Sequence, residues 1–243
     1  MADISVQTTL RIPGNWSHAG ELLERIPDGF RLTPQALILP DGAAVELQPK
    51  PPDDQFAKIF ESSCREPATD EEMEIVKNYA VNVCLLGPGG TMEAARRMLQ
   101  AGAALVRAGG AGVFIDNSGL AHGGENWIMM AEDGGPDALS FAFVNIVRGT
   151  RELRTMGMHV LGQRDVVMEQ VNPGTHEDAI IEIVRYICNS DKPIEHGHVL
   201  ADVAAPRFQA VATRADNYNA GSPMHNPYGR LKLVSMKDIA ENN

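Results

Sequence analysis

Ala80-Val81-Asn82-Val83-Cys84-Leu85-Leu86 runs into Gly87-Pro88-Gly89-Gly90-Thr91, then into an alanine-rich amphipathic stretch, and then into a second apolar run, Gly112-Val113-Phe114-Ile115-Asp116. This order predicts strand, glycine-rich turn, helix, strand. Thr91 can cap the helix with Glu93 in its first turn, and Gly109-Gly110 can close its C-terminus. Ala95, Met98, Leu99, Gly102, Leu105 and Val106 supply its apolar face. A turn of this kind either holds a phosphate on free N–H groups at a helix N-terminus or simply reverses the chain.

Upstream, Ser5 to Ile12 is rich in β-branched residues and predicts a strand stopped by Pro13-Gly14. A helix is expected from Ser17, its cap, to Pro27. Gln35 to Leu39 and Ala43 to Leu47 flank Pro40-Asp41-Gly42, which suits a tight hairpin. Phe56, Ile59 and Phe60 mark a short helix, and Thr69-Asp70-Glu71-Glu72 is a capping box opening another. The order is compatible with ferredoxin-like, split β-α-β elements.

Downstream, Gly124 to Glu132 predicts a helix, and Ser140 to Val147 a strand between Pro136 and Gly149. Thr175-His176-Glu177-Asp178 resembles a capping box before the stripe Ile180, Ile183, Val184 and Ile187. Strands are expected near Val199 to Val203, Phe208 to Thr213 and Leu231 to Val234. Residues 215–229, rich in Asn, Gly and Pro, predict a lid or a disordered surface tip. Together these patterns predict an α+β fold with a mixed, largely antiparallel sheet and helices packed on its faces. The chain reads as a single unit over 1–243, with a soft boundary near 150.

Composition restricts the function. The 243 residues are 44% hydrophobic and carry a net charge of −11 with a pI near 5.1. Lys and Arg are scattered, so nucleic acid and anionic membrane surfaces are disfavoured as partners. The first residues lack a basic segment leading into an apolar core, and no apolar run approaches a bilayer span. Cys64, Cys84 and Cys188 are odd in number and widely spaced. Reduced thiols in a soluble, cytoplasmic protein are the expectation.

The glycine-rich turn fits no complete nucleotide motif. A triphosphate loop needs a second glycine where Met92 stands, followed by a lysine that is absent. A dinucleotide fingerprint also places its third glycine at Met92, although Asp116 falls roughly where a ribose acceptor belongs. Gly87, Gly89, Gly90, Thr91 and Asp116 are therefore the cofactor-type candidates. No cofactor is implied by them, and a structural turn is the simpler reading.

Three other clusters carry possible chemistry. Asp116, Ser118 and His122 gather after a strand end and offer general acid–base groups, although Asp116-Asn117-Ser118-Gly119 is also ordinary turn chemistry. His196, His198 and Asp202 align on one face of an extended segment, an acceptable zinc set or a solvated edge. Arg148, Arg151 and Arg154 could receive a carboxylate or phosphate, or simply face solvent.

Val83 to Leu86, the glycine-rich turn, Gly112 to Asp116, His122, Phe143-Val144-Asn145 and Thr155-Met156-Gly157-Met158 to Gly162 together resemble a bacterial domain family of unknown function, mainly over residues 75–190. Thr155-x-Gly157-Met158 to Gly162 is the most specific part. The resemblance implies a cytoplasmic α+β domain and supplies no substrate, cofactor or catalytic residue. Because no nucleophile, base and orienting group converge, a non-catalytic binding or interaction module is expected. The alternatives are a nucleotide- or phosphate-binding protein and a small hydrolase or metal-assisted enzyme. A protein partner or a small molecule would suit the first reading, and a dimer would be the commonest assembly.

Overall fold

The computed structural model describes residues 5–169, 177–190, 192–200, 207–213 and 218–236. The chain opens with β1 (Gln7–Gly14), α1 (Ala19–Arg25), β2 (Arg31–Leu32), β3 (Ala36–Ile38) and β4 (Ala44–Lys50). It continues through α2 (Phe56–Ser63), α3 (Asp70–Asn78), β5 (Val81–Pro88), α4 (Met92–Arg107), β6 (Gly112–Ile115) and β7 (Leu120–Gly123). Two helices follow, α5 (Gly124–Asp133) and α6 (Pro136–Phe143), then β8 (Asn145–Arg148), β9 (Glu152–Met156), a 3₁₀ turn (Met158–Leu161) and β10 (Asp165–Glu169). The last elements are α7 (Glu177–Asn189), β11 (Val199–Leu200), β12 (Phe208–Thr213) and β13 (Arg230–Ser235).

The strands form two sheets, giving an α+β protein that is largely antiparallel. The first has the order β2-β3-β4-β5-β1-β6-β7, and the second β11-β12-β13-β10-β9-β8, with β10 and β13 its parallel pair. In the first sheet β5 sits at the centre, paired over eight residues with its neighbour β1, from Gln7 opposite Pro88 to Gly14 opposite Val81. Side chains alternate across a strand, so this register sends Thr8, Leu10 and Ile12 to one face and Gln7, Thr9 and Arg11 to the other.

On the first face lies α4, with Ala95, Met98, Leu99 and Leu105 fully buried. Each large side chain removed from water in this way contributes roughly 1.5–3 kcal/mol. Capping follows the expectation, since Thr91 Oγ1 accepts from the Ala94 N–H at 3.0 Å. The capping box at Thr69 and Glu72 is also formed in both directions. One end of the opposite face is closed by α2 and α3 through Phe56, Phe60, Met73, Val76 and Tyr79 around Phe114. One continuous apolar cluster runs from Leu10 in the first sheet to Leu233 in the second.

Two local expectations are corrected. Ser140 to Val147 does not form one strand, because Pro136 occupies the first turn of α6 and Ala138, Leu139, Ala142 and Phe143 form a helical stripe buried in the core. The paired strand begins only at Asn145. Likewise α1 is capped at His18 without a side-chain bond, while the Ser17 N–H donates to Glu21 Oε2 at 3.3 Å. The capping box expected at Thr175 and the strand residues 201–203 lie outside the described residues.

Gly157 and Gly162 bracket the 3₁₀ turn with φ of 104° and 77°. A Cβ on Gly157 would lie 2.2 Å from the Phe143 carbonyl oxygen, and one on Gly162 would lie 2.4 Å from that of Gly90. Gly157→Ala combines backbone strain with a clash against main chain and should therefore lower stability by roughly 3–5 kcal/mol. Gly42→Ala, at φ 86° with open space around it, should lose only about 1 kcal/mol. Urea denaturation of both variants checks this, and equal losses would contradict the packing described.

Candidate functional site

The polar face of the central strands is the floor of a cleft. Across it, β4, β5 and β1 place Gln48 opposite Cys84 and Cys84 opposite Arg11, with Leu86 and Thr9 in the next row. Gln7, Thr9, Gln48, Lys50, Cys84, Leu86 and Asp116 line a space of about 490 Å³, with His159 at its side and Ser222, Pro223 and His225 above. These groups supply hydroxyl, amide, amine and carboxylate functions on a floor held by strand pairing. That combination suits a small polar ligand.

Asn117 organises the junction. Its Oδ1 accepts from the Thr9 N–H at 2.9 Å and its Nδ2 donates to the Gln7 carbonyl at 2.9 Å, so a side-chain amide extends the β1 ladder beyond the end of β6. The same Nδ2 lies 3.1 Å from the Pro223 carbonyl, which His159 Nε2 also meets at 3.0 Å. The His159 contact requires Nε2 to carry its proton, because a carbonyl only accepts.

The segment over the cleft is an ordered strap between residues 218 and 229. Asn226 Nδ2 donates to Asp165 Oδ2 at 2.8 Å and to the Gln163 carbonyl at 3.0 Å, and its Oδ1 accepts from the Tyr228 N–H. Asp165 is buried, and its carboxylate also accepts from Thr155 Oγ1 and the Met158 N–H. Burial pushes its pKa up to about 6, while the Asn226, Thr155 and Met158 bonds oppose that rise. The strap is therefore tied to the first sheet through Asn117 and to the second through Asp165. Residues 214–217 lie outside the described residues.

The residues singled out from sequence are placed as follows. Asp116 is at the cleft but is held by Arg11, with Oδ1 2.7 Å from Nε and Oδ2 2.9 Å from Nη2. Cys84 lies on the floor, where burial, and then the nearby Asp116, push its thiol upward and away from the nucleophilic thiolate. Ser118 is buried at the strand end, with its carbonyl accepting from Asn145 Nδ2. His122 points into the apolar core between Trp127 and Phe141, with Nε2 3.0 Å from the Ala142 carbonyl. Asp116, Ser118 and His122 thus have separate partners and form no hydrogen-bonded set among the described residues.

In the glycine-rich turn two backbone donors already have partners. The Gly89 N–H donates to the Val6 carbonyl at 2.8 Å and the Gly90 N–H to the Val160 carbonyl at 2.9 Å. Two donors that an anion could use are committed to main chain, and Met98 Sδ lies 2.3 Å from where a Gly87 Cβ would stand. This corner welds the first sheet to the 3₁₀ turn. His196 Nδ1 accepts from the Ala212 N–H at 3.3 Å; Asp202 lies outside the described residues, and no group of three metal-capable side chains occurs among those described. Arg154 meets Glu152 at 3.5 Å in β9.

Sequence reasoning missed Asn117, His159, Arg11 and the strap anchors Pro223 and Asn226. The imperfect alternation Gln7-Thr8-Thr9-Leu10-Arg11 carried the one available signal, a central strand with a polar face. No protein-family model, curated protein or solved structure matches the chain. No helix among the described residues is long and apolar enough to cross a membrane.

His122 provides a test of the site assignment. Burial, and then Arg65, whose guanidinium lies 4.6 Å from the Phe141 ring centre, lower its pKa to about 3. A folded value below the unfolded value of about 6.5 means stability is present above pH 6.5 and is lost on acidification toward pH 3. By pH 4 this single group should remove about 3 kcal/mol. Its imidazole should stay neutral between pH 5 and 8 by heteronuclear NMR, and an inflection near pH 6.5 would contradict a core histidine.

Proposed function

We propose that the protein is a non-catalytic binding module whose ligand is a small, polar, water-soluble molecule seated between the first sheet and the strap. One observation carries this reading: the central strands β5 and β1 turn a polar face toward an ordered roof anchored by Asn117 on one side and Asp165 on the other. Had solvation alone been the purpose of that face, no roof would be required.

The chemistry of the lining favours binding over catalysis. The Asp116 carboxylate is neutralised by Arg11, the Cys84 thiol is held protonated, and His122 belongs to the core. Gln7, Thr9, Gln48 and Lys50 can supply neutral and cationic hydrogen bonds to a ligand. Three free cysteines, two of them buried, favour a reducing compartment such as the cytoplasm.

A thermal-shift screen of small polar metabolites tests the proposal. A compound at a hundred times its dissociation constant stabilises by about 2.7 kcal/mol, a rise of a few degrees for a chain of this size. Thr9→Trp should fill the cleft from the floor and abolish the rise while native circular dichroism is retained. Failure of every compound to stabilise the protein, or an unchanged rise in a folded Thr9→Trp variant, would overturn it.

A further inference from the structure

Behind the cleft, on the opposite face of β4 and β5, lies a second cavity of about 400 Å³. Alternation produces it. Where Gln48 and Cys84 face the polar cleft, Leu47, Val81 and Val83 face this cavity. The long helix α4 covers the middle of the sheet, and the two-turn α1 with Trp16 closes this end.

The walls define what can enter. Among the described residues Thr33 is the one lining residue with a hydroxyl, and that hydroxyl donates to the Ala36 carbonyl at 3.0 Å and accepts from the Ala36 N–H at 2.9 Å. The Trp16 indole N–H is likewise directed away, to the Ala108 carbonyl at 2.8 Å. Among the described residues no titratable side chain lines the space. Water needs two to four polar partners to be held in such a place, and a charged ligand would meet no counter-charge. Its volume lies within the range of small-molecule pockets, roughly 300–1,000 Å³. Leu23, 55% exposed, lines its outer side.

We propose that this cavity is a binding site for a small, uncharged, apolar molecule, of the hydrocarbon or fused-aromatic class. It is separate from the polar cleft, and the two sites stand back to back on β4 and β5. Concave walls closed by α1 and by the turn at Thr33 and Pro34 fit a compact molecule. A flat partner surface would reach only the rim, Leu23, Pro34 and Pro49, and leave the buried walls at Trp16, Leu22, Leu47 and Val83 untouched.

Titration of the full chain with N-phenyl-1-naphthylamine, a neutral fluorophore that brightens in apolar surroundings, tests the assignment. One probe should bind per chain, with blue-shifted emission, and the sulfonated analogue 8-anilinonaphthalene-1-sulfonate should bind at least tenfold more weakly. Val81→Trp should fill the space, and Leu23→Asp, at an exposed position, should charge its outer side without disturbing the core. Each should weaken the neutral probe at least tenfold while leaving the thermal shift of the polar cleft's ligand unchanged. Absence of one-to-one binding, equal affinity for the sulfonate, or unaltered binding in both folded variants would overturn the proposal. So would a dimer in sedimentation that Leu23→Asp dissociates, because the patch would then be an interface between copies.

Discussion

The antiparallel pairing of β1 with β5 is the constraint on which the rest of the molecule depends. A strand shows alternate side chains to opposite faces, and a slip of one residue would exchange them all. In the register observed, Leu10 and Ile12 meet α4 and its apolar stripe. The same register brings Thr9, Arg11 and Cys84 to the cleft floor. Core formation and the polarity of the candidate site are thus one decision.

Glycine at a few positions lets the two sheets meet. The Gly90 N–H donates to Val160, and Gly162 packs against the Gly90 carbonyl so closely that no side chain fits there. Gly157 similarly admits the Phe143 carbonyl and the Ser118 side chain. The strap then spans the seam thus formed, held by amide groups of Asn117 and Asn226. Buried hydrogen-bonded networks of this sort fix one arrangement, because leaving any member unpaired in a low-dielectric interior is costly.

Much of the fold was legible in the chain because periodicity and capping are local. The strand, turn, helix and strand from Val81 to Ile115, the hairpin about Gly42 and the capping box at Thr69 all follow from spacing and turn chemistry. Phe141 and Phe143 misled the strand assignment, because aromatic β propensity yielded to Pro136 and to a helical burial stripe. The division into two sheets was not readable, since it depends on contacts between glycines some seventy residues apart in sequence. For the site, Asp116 was visible, but its role was not: only the fold brings Arg11 beside it. Asn117 read as a turn residue and became the link between a strand and the strap. His122 looked reactive in sequence and proved to be core, because pairing with Val113 turns it inward toward Trp127.

The central claim is that the roofed polar face receives a ligand. Amide hydrogen exchange, measured with and without the most stabilising compound from the metabolite screen, tests it most directly. The account predicts slower exchange in residues 218–229 and around Thr9 and Asp116, with the Gly87–Thr91 turn and the Trp16–Leu23 segment unchanged. Protection confined to Gly87–Thr91 and the start of α4, with the strap unaffected, would contradict it.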